Sequence, residues 1–291
     1  MSRPDCAAER GAAAAAGTTA DLVDTHCHLD QFEDPHRVML AAAAAGVETL
    51  VAVGENPASN RAVLDLRRAR PGRVVAGVGL HPAWVVEQPP AAVEAALEGL
   101  PAQLADADLL GEIGLDHKWA RTADQRRFQE ETLDRQLALA AVAGKPINLH
   151  SRRCQRQVME KAIGYCRETG LAAQLHWFTQ SKKLVRICND EGLFISVGPT
   201  VLTDLQAREV AAHVADDLLL LESDAPVPVG GVPGHPRRVL EVATALAELK
   251  RCPVAEVARL TRANFSRFLT AGSGTDGSGR RPGCTTIKSL M

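Results

Sequence analysis

Aromatic side chains are scarce in this chain: one tyrosine, three tryptophans and six phenylalanines, 3% of 291 residues. So few rings argue against base-stacking platforms. A surplus of one charge sign is missing too, because 33 Lys and Arg face 35 Asp and Glu for a net charge of −2. No overall field draws nucleic acid in, so any such role needs a local basic surface. Long apolar runs are also absent: segments break after about eight residues, whereas a membrane span needs about 20. The cysteines, Cys6, Cys27, Cys154, Cys166, Cys188, Cys252 and Cys284, are odd in number and contain no C-x-x-C pair. That excludes a disulfide framework and a thiolate zinc site, and it fits a reducing compartment. Arg3, Asp5, Glu9 and Arg10 precede the short run Ala12 to Ala16, which is too weakly apolar for a secretory signal. The expected location is cytoplasmic, with no membrane partner.

What is present is an ordinary globular composition, 46% hydrophobic and 23% charged. Residues 1–20 are Ala- and Gly-rich and residues 271–291 are Gly- and Ser-rich, so both ends are expected to be flexible tails. The block 21–270 between them has no linker. Within it, short β-branched and Leu-rich runs predict strands at 22–29, 47–54, 74–81, 108–116, 146–151, 172–178, 193–198 and 217–224. Segments of helical spacing follow, at 36–45, 57–70, 91–105, 122–143, 152–169, 181–191, 202–215, 236–250 and 254–269. This alternation predicts a single-domain (β/α)8 TIM barrel, with an open doubly wound sheet as the alternative.

Ionisable residues fall non-randomly on this frame. His26 and His28 lie in the first strand, His81 ends the third, Glu112 and Asp116 are late in the fourth, His150 ends the fifth, His176 is in the sixth and Asp224 ends the eighth. Strand C-termini converge on one face of a barrel, the face that carries active sites. Burying so many imidazoles and carboxylates together costs several kcal/mol per charged group unless they pair or bind metal. His26 and His28 are two apart and share a face, and Asp224 joins them if the last strand closes on the first. His150 and His176 come from neighbouring strands, and Glu112 is placed to bridge the two groups. The expectation is a binuclear site for divalent ions: Zn, Mn, Mg or Co.

The blocks Asp24-Thr-His26-Cys-His28-Leu29, Gly79-Leu-His81-Pro82, Gly111-Glu112-Ile-Gly-Leu-Asp116, Asn148-Leu-His150-Ser-Arg152, Leu175-His176-Trp177-Phe178 and Glu222-Ser-Asp224-Ala-Pro226 resemble, in order, the TatD-type metal-dependent deoxyribonucleases of the amidohydrolase-like barrels. The resemblance implies that His26, His28, Glu112 and Asp224 hold one metal, and Glu112, His150 and His176 the other. It also implies hydrolysis of DNA phosphodiesters. Trp177 departs from the pattern, which often has a smaller residue there, and His117 stands where an aromatic is common.

On this reading the metals activate a shared water toward phosphorus, with Asp224 and Glu112 as catalytic groups. His81 and Arg152 are the expected substrate contacts, Arg152 through a bidentate fork to phosphate. Lys118, Arg121, Arg126, Arg127, Arg152, Arg153, Arg156, Lys182 and Lys183 are expected to give the mouth a basic rim. Asp116 reads either as a partner for a ligand histidine or as a helix cap. Trp84 and Trp119, on the loops after strands three and four, either stack a base or cover the barrel. The competing function is amide, ester or lactone hydrolysis of the amidohydrolase type. Many such sites bridge their metals with a carbamylated lysine on strand four, and no lysine lies in that strand here.

Overall fold

The computed structural model describes residues 21–178 and 181–272. Its centre is a parallel eight-stranded sheet: β1 (Leu22–Cys27), β2 (Val47–Val53), β3 (Val74–Val78), β4 (Leu109–Asp116), β5 (Ile147–Arg152), β6 (Ala173–Leu175), β7 (Phe194–Val197) and β8 (Leu219–Leu221). Each strand pairs with the next in sequence. A doubly wound sheet would reverse its order at a switch point, so the barrel is the architecture. The strands are rich in Val, Leu and Ile because a parallel sheet is covered on both faces.

Helices alternate with the strands: α1 (Pro35–Ala44), α2 (Pro57–Ala69), α3 (Pro82–Glu87), α4 (Pro90–Asp106), α5 (Ala123–Ala143), α6 (Gln155–Thr169), α7 (Lys182–Glu191), α8 (Leu205–Ala211), α9 (Val239–Lys250) and α10 (Val254–Thr270). Local chemistry sets their ends. Thr122 and Gln125 form a reciprocal capping box at the start of α5, and Gly144 at φ 62° stops it.

Four strands end two or three residues sooner than the residue pattern predicts. β1, β3, β6 and β8 stop at Cys27, Val78, Leu175 and Leu221, so His28, His81, His176 and Asp224 stand on the loops that follow. At two of these positions the backbone leaves the ladder conformation: His28 turns to φ −96°, ψ 72°, and Asp224 to φ 49°. Likewise α6 starts at Gln155 and not at 152, because Arg153 sits at φ 64°. The predicted helix 202–215 is a 3-10 turn at Pro199–Leu202 followed by α8, which Asp204 caps. Helix α3 was not predicted. It is a single short stretch with Pro82 at its start, too brief to show a period, and it carries Trp84 on a helix instead of a loop.

The barrel closes along a seam between β8 and β1. Asp224 N–H donates to His26 O at 3.0 Å and His28 N–H donates to Ala225 O at 2.7 Å. Thr25 Oγ1 donates to Leu221 O at 2.9 Å, and Ser223 holds buried Asp24 through its hydroxyl (2.6 Å) and its N–H (2.9 Å). Burial pushes the Asp24 carboxyl up to about 8 despite these bonds.

Cys27, Cys154 and Cys188 are buried free thiols, and Cys166 is buried as well. Cys6, Cys284 and the expected tails, apart from Ala271 and Gly272, lie outside the described residues. Among the described residues no helix is long and apolar enough to cross a membrane.

Candidate metal centre

The C-terminal mouth of the barrel gathers His26, His28, His81, Glu112, His150, His176 and Asp224. Glu112, on β4, is at the centre, and its two oxygens face different partners. Oε2 lies 3.5 Å from His26 Nε2 and 3.5 Å from His28 Nε2. Asp224 Oδ1 lies 3.5 Å and 3.3 Å from the same two nitrogens. A tetrahedral ion with bonds of about 2.0–2.1 Å separates its ligand atoms by about 3.3 Å, so these four distances match the edges of such a site. Oε1 lies 2.8 Å from His150 Nδ1 and 2.9 Å from His176 Nε2, and those two nitrogens are 3.2 Å apart. His81 Nε2 approaches the same oxygen at 3.5 Å.

Groups behind the imidazoles decide which nitrogen offers its lone pair to the centre. Asn148 donates its amide to Thr25 O, so its Oδ1 accepts from His26 Nδ1 at 3.1 Å and leaves Nε2 free to ligate. Asp116 Oδ2 accepts from His150 Nε2 at 3.1 Å, which turns Nδ1 inward. Its other oxygen accepts from Lys118 N–H at 2.7 Å in the turn after β4; Thr122, not Asp116, caps the helix beyond, so the helix-cap reading of Asp116 gives way to a turn bond. Glu222 lies 3.8 Å behind His176 Nδ1 and favours the proton there. The His26 and His176 rings stack with centroids 3.9 Å apart. His81 Nδ1 accepts from Ala83 N–H at the start of α3, so its Nε2 carries the proton and donates into the cavity.

The donor set fits a cation. His26 Nε2 and Glu112 Oε2 are buried without a hydrogen-bond partner among the described residues, and lone pairs so placed are unfavourable unless a positive charge lies between them. The titration behaviour points the same way. Burial lowers imidazole pKa values, but Asp224 and Glu112 outweigh it and raise His28 to about 10. His150 is raised against burial by Asp116 and Glu112, and His176 by Glu112 and Glu222. Burial raises the Glu112 carboxyl, yet His81, His176 and His26 hold it well below the ordinary carboxylate range. Burial likewise opposes ionisation of Asp224, and His28 and His26 overcome it. The carboxylates are charged and positive charge is wanted opposite them.

This centre forms the floor of a cavity of about 380 Å³, whose walls add Glu55, Ser151, Arg152, Trp177 and Val227. A larger groove of about 500 Å³ runs outside the barrel between α5 and α6, lined by Asp134, Lys161 and Tyr165 among others. It holds none of the imidazoles, and Lys161 is paired there with Asp134. The chemistry belongs to the smaller cavity.

The family model for TatD related DNase matches residues 23–270. The chain belongs to the TatD family. Among TatD-family relatives, it is 32% identical over 265 residues to the Escherichia coli K12 protein named uncharacterized metal-dependent hydrolase YcfH, covering 85% of this chain and 95% of that one. It is 29% identical over 276 residues to human deoxyribonuclease TATDN3, covering 85% and 94%. The crystal structure of YJJV, a TatD homologue from Escherichia coli K12, superposes with a TM-score of 0.74 at 29% identity over 86% of this chain and 98% of that one. A 5-methylcytosine deaminase from Klebsiella pneumoniae, at 14% identity and TM-score 0.57 over 82% and 64%, shares the fold alone. This TatD-family chain is a metal-dependent hydrolase.

In the TatD-family cavity all the expected donors, and both expected substrate contacts, His81 and Arg152, come to one mouth. The basic rim is thinner than expected. Arg127, Arg156 and Lys182 pair with Asp124, Glu160 and Glu209, and Arg126 donates to Ala120 O. Of the expected rim only Arg152 is among the residues that line the cavity. Trp84 packs with Phe128 against Leu80, Val85 and Val93 beneath α3, as a cover. Residue-by-residue reading gave no role to Asn148, Glu222 or Glu55, and Trp177 was noted only as a departure from the family pattern. The first two were visible only as polar residues inside apolar strands, a signal without a partner attached.

Proposed function

We propose that this chain is a divalent-metal-dependent nuclease that cleaves DNA phosphodiester bonds with two ions. His26, His28, Glu112 and Asp224 hold one, and Glu112, His150 and His176 the other. The observation that carries this reading is the division of Glu112: one oxygen belongs to the His26, His28 and Asp224 group, the other to His150 and His176. Bound divalent ions supply Lewis acidity, which acidifies water and neutralises charge on phosphoryl oxygens.

The protein's own groups do the rest. Asp224 is a carboxylate at the cavity floor, ionised because His28 and His26 face it, and it orients a water and takes its proton. His81 presents Nε2–H to a phosphate oxygen from a ring fixed by the Ala83 N–H. Arg152, the last residue of β5 and two beyond His150, offers a planar cation from the wall. The buried donors require the scissile group to enter the cavity, which excludes bulk water from most of it.

Hydrolysis of single-stranded DNA, duplex DNA, a nitrophenyl phosphodiester and an ester panel, each with and without chelator, tests the reading. Chelator-sensitive cleavage of the phosphodiesters is expected. Ester hydrolysis with no phosphodiester cleavage would transfer the site to the deacylase class.

A further inference from the structure

Two apolar side chains, Trp177 and Val227, stand among the described residues that line an otherwise polar cavity. Both are tied by chain to the metal centre. Trp177 directly follows His176, so their Cα atoms are about 3.8 Å apart, and Val227 N–H donates to Asp224 O at 2.9 Å. The core does not need Trp177. Its neighbour Phe178 fills that role at 2% exposure, while Trp177 remains half-buried beside the cavity.

The backbone is built to present this ring. Trp177 has φ 48°, a left-handed conformation that a bulky residue keeps only when its surroundings enforce it. Its N–H donates at 2.8 Å to Glu222, which is fully buried and whose second oxygen accepts from Ser196 at 2.5 Å. A buried carboxylate thus spends one oxygen on holding the turn that aims the indole. Arg152 belongs to the same cavity, so the site offers a cation for an anion and an aromatic face for a flat ring. Those are the two ends of a nucleotide.

We propose that Trp177, with Val227, forms a nucleobase-stacking subsite beside the metal centre, and that this chain selects phosphodiesters by the ring on the nucleotide next to the scissile bond. The proposal rests on the phosphodiesterase reading above. Because Trp177 and His176 line one cavity, the stacked ring is that of a nucleotide bonded directly to the reacting phosphate. The low aromatic content is no obstacle, because a single well-held indole serves a single base.

The test compares the wild type with Trp177→Ala and Trp177→Phe, all metal-loaded, on a thymidine dinucleotide and on its doubly abasic analogue. Binding of thymidine 5′-monophosphate and of deoxyribose 5-phosphate is measured alongside by calorimetry. Trp177→Ala is expected to lower kcat/KM for the base-bearing dinucleotide, and affinity for thymidine 5′-monophosphate, by about 5- to 150-fold. The abasic compounds should change by less than about twofold, and Trp177→Phe should recover most of the loss. Equal losses on base-bearing and abasic compounds, or no loss on either, overturns the subsite. If the wild type cleaves neither dinucleotide, the nuclease reading fails, and the calorimetric contrast alone then upholds or overturns the subsite.

Discussion

Asp116→Asn isolates the role of the group behind His150. In the wild type, Oδ2 accepts from His150 Nε2 at 3.1 Å, while Oδ1 accepts from Lys118 N–H at 2.7 Å and Trp119 N–H at 3.3 Å. Asparagine keeps one oxygen, and the shorter bond to Lys118 retains it on the turn. Its amide NH2 then faces His150 Nε2–H, donor against donor. The ring is driven to move its proton to Nδ1, the atom that points at Glu112 and His176. Removing an outer partner of a ligand imidazole lowers metal affinity by about 10- to 100-fold, or roughly 1.4–2.8 kcal/mol. Competition against a chromophoric chelator reads this directly. The metal-free melting temperature serves as control and should move by no more than about 2–4 °C, the equivalent of about 1 kcal/mol for a domain of this size. Unchanged metal affinity, or a melting loss large enough to account for the whole effect, would refute the account of how His150 is held.

Three further outcomes follow from the same geometry. Asp224→Asn keeps the shape and removes the charge facing His26 and His28; kcat should fall by more than about 100-fold with an unchanged circular dichroism spectrum, and undiminished kcat removes Asp224 from the mechanism. His28 has its pKa raised from 6.5 to about 10 in the metal-free fold. Its stabilising contribution is therefore complete below 6.5 and is lost as pH rises through 10. Metal-free protein should melt progressively lower across that window, whereas loaded protein, with the proton replaced by a cation, should show a flatter profile; equal slopes would count against the exchange. Gly114 has φ 147°, and a Cβ there would lie 2.0 Å from His150 O. Gly114→Ala should cost about 1–3 kcal/mol or more, seen as a lower melting temperature, and an unaffected melt would show that β4 and β5 can part without penalty.

The barrel was legible because each strand is a short β-branched or Leu-rich run, and burial on both faces forces that composition. The donors were legible because ionisable residues are expensive inside such runs. His26, Glu112 and His150 are on strands as read, but His28, His81, His176 and Asp224 belong to the loops. An apolar run does not announce the residue at which hydrogen bonding stops. Asn148 and Glu222 stayed silent for a related reason. Each is explained only by a partner far away in sequence, His26 for one and the Trp177 N–H for the other. The basic rim was overestimated because charge was counted before pairing was known. Arg127 and Arg156 have acids three and four residues away on their own helix faces, whereas the Lys182 to Glu209 pair spans two helices.

The seam between β8 and β1 has a consequence for how the chain acquires function. Ser223 meets Asp24, and Leu221 meets Thr25, across separations of 199 and 196 residues. Closing a loop of that length costs about 4–5 kcal/mol of chain entropy before any contact repays it, and contacts so distant in sequence form slowly. His26 and His28 lie on one side of this junction and Asp224 on the other. The group around His26 and His28 is therefore complete only once the eighth strand has joined the first. Ring closure of the fold and completion of the donor set are one event, because a chain truncated before that strand lacks Asp224, one of the four donors of the first group.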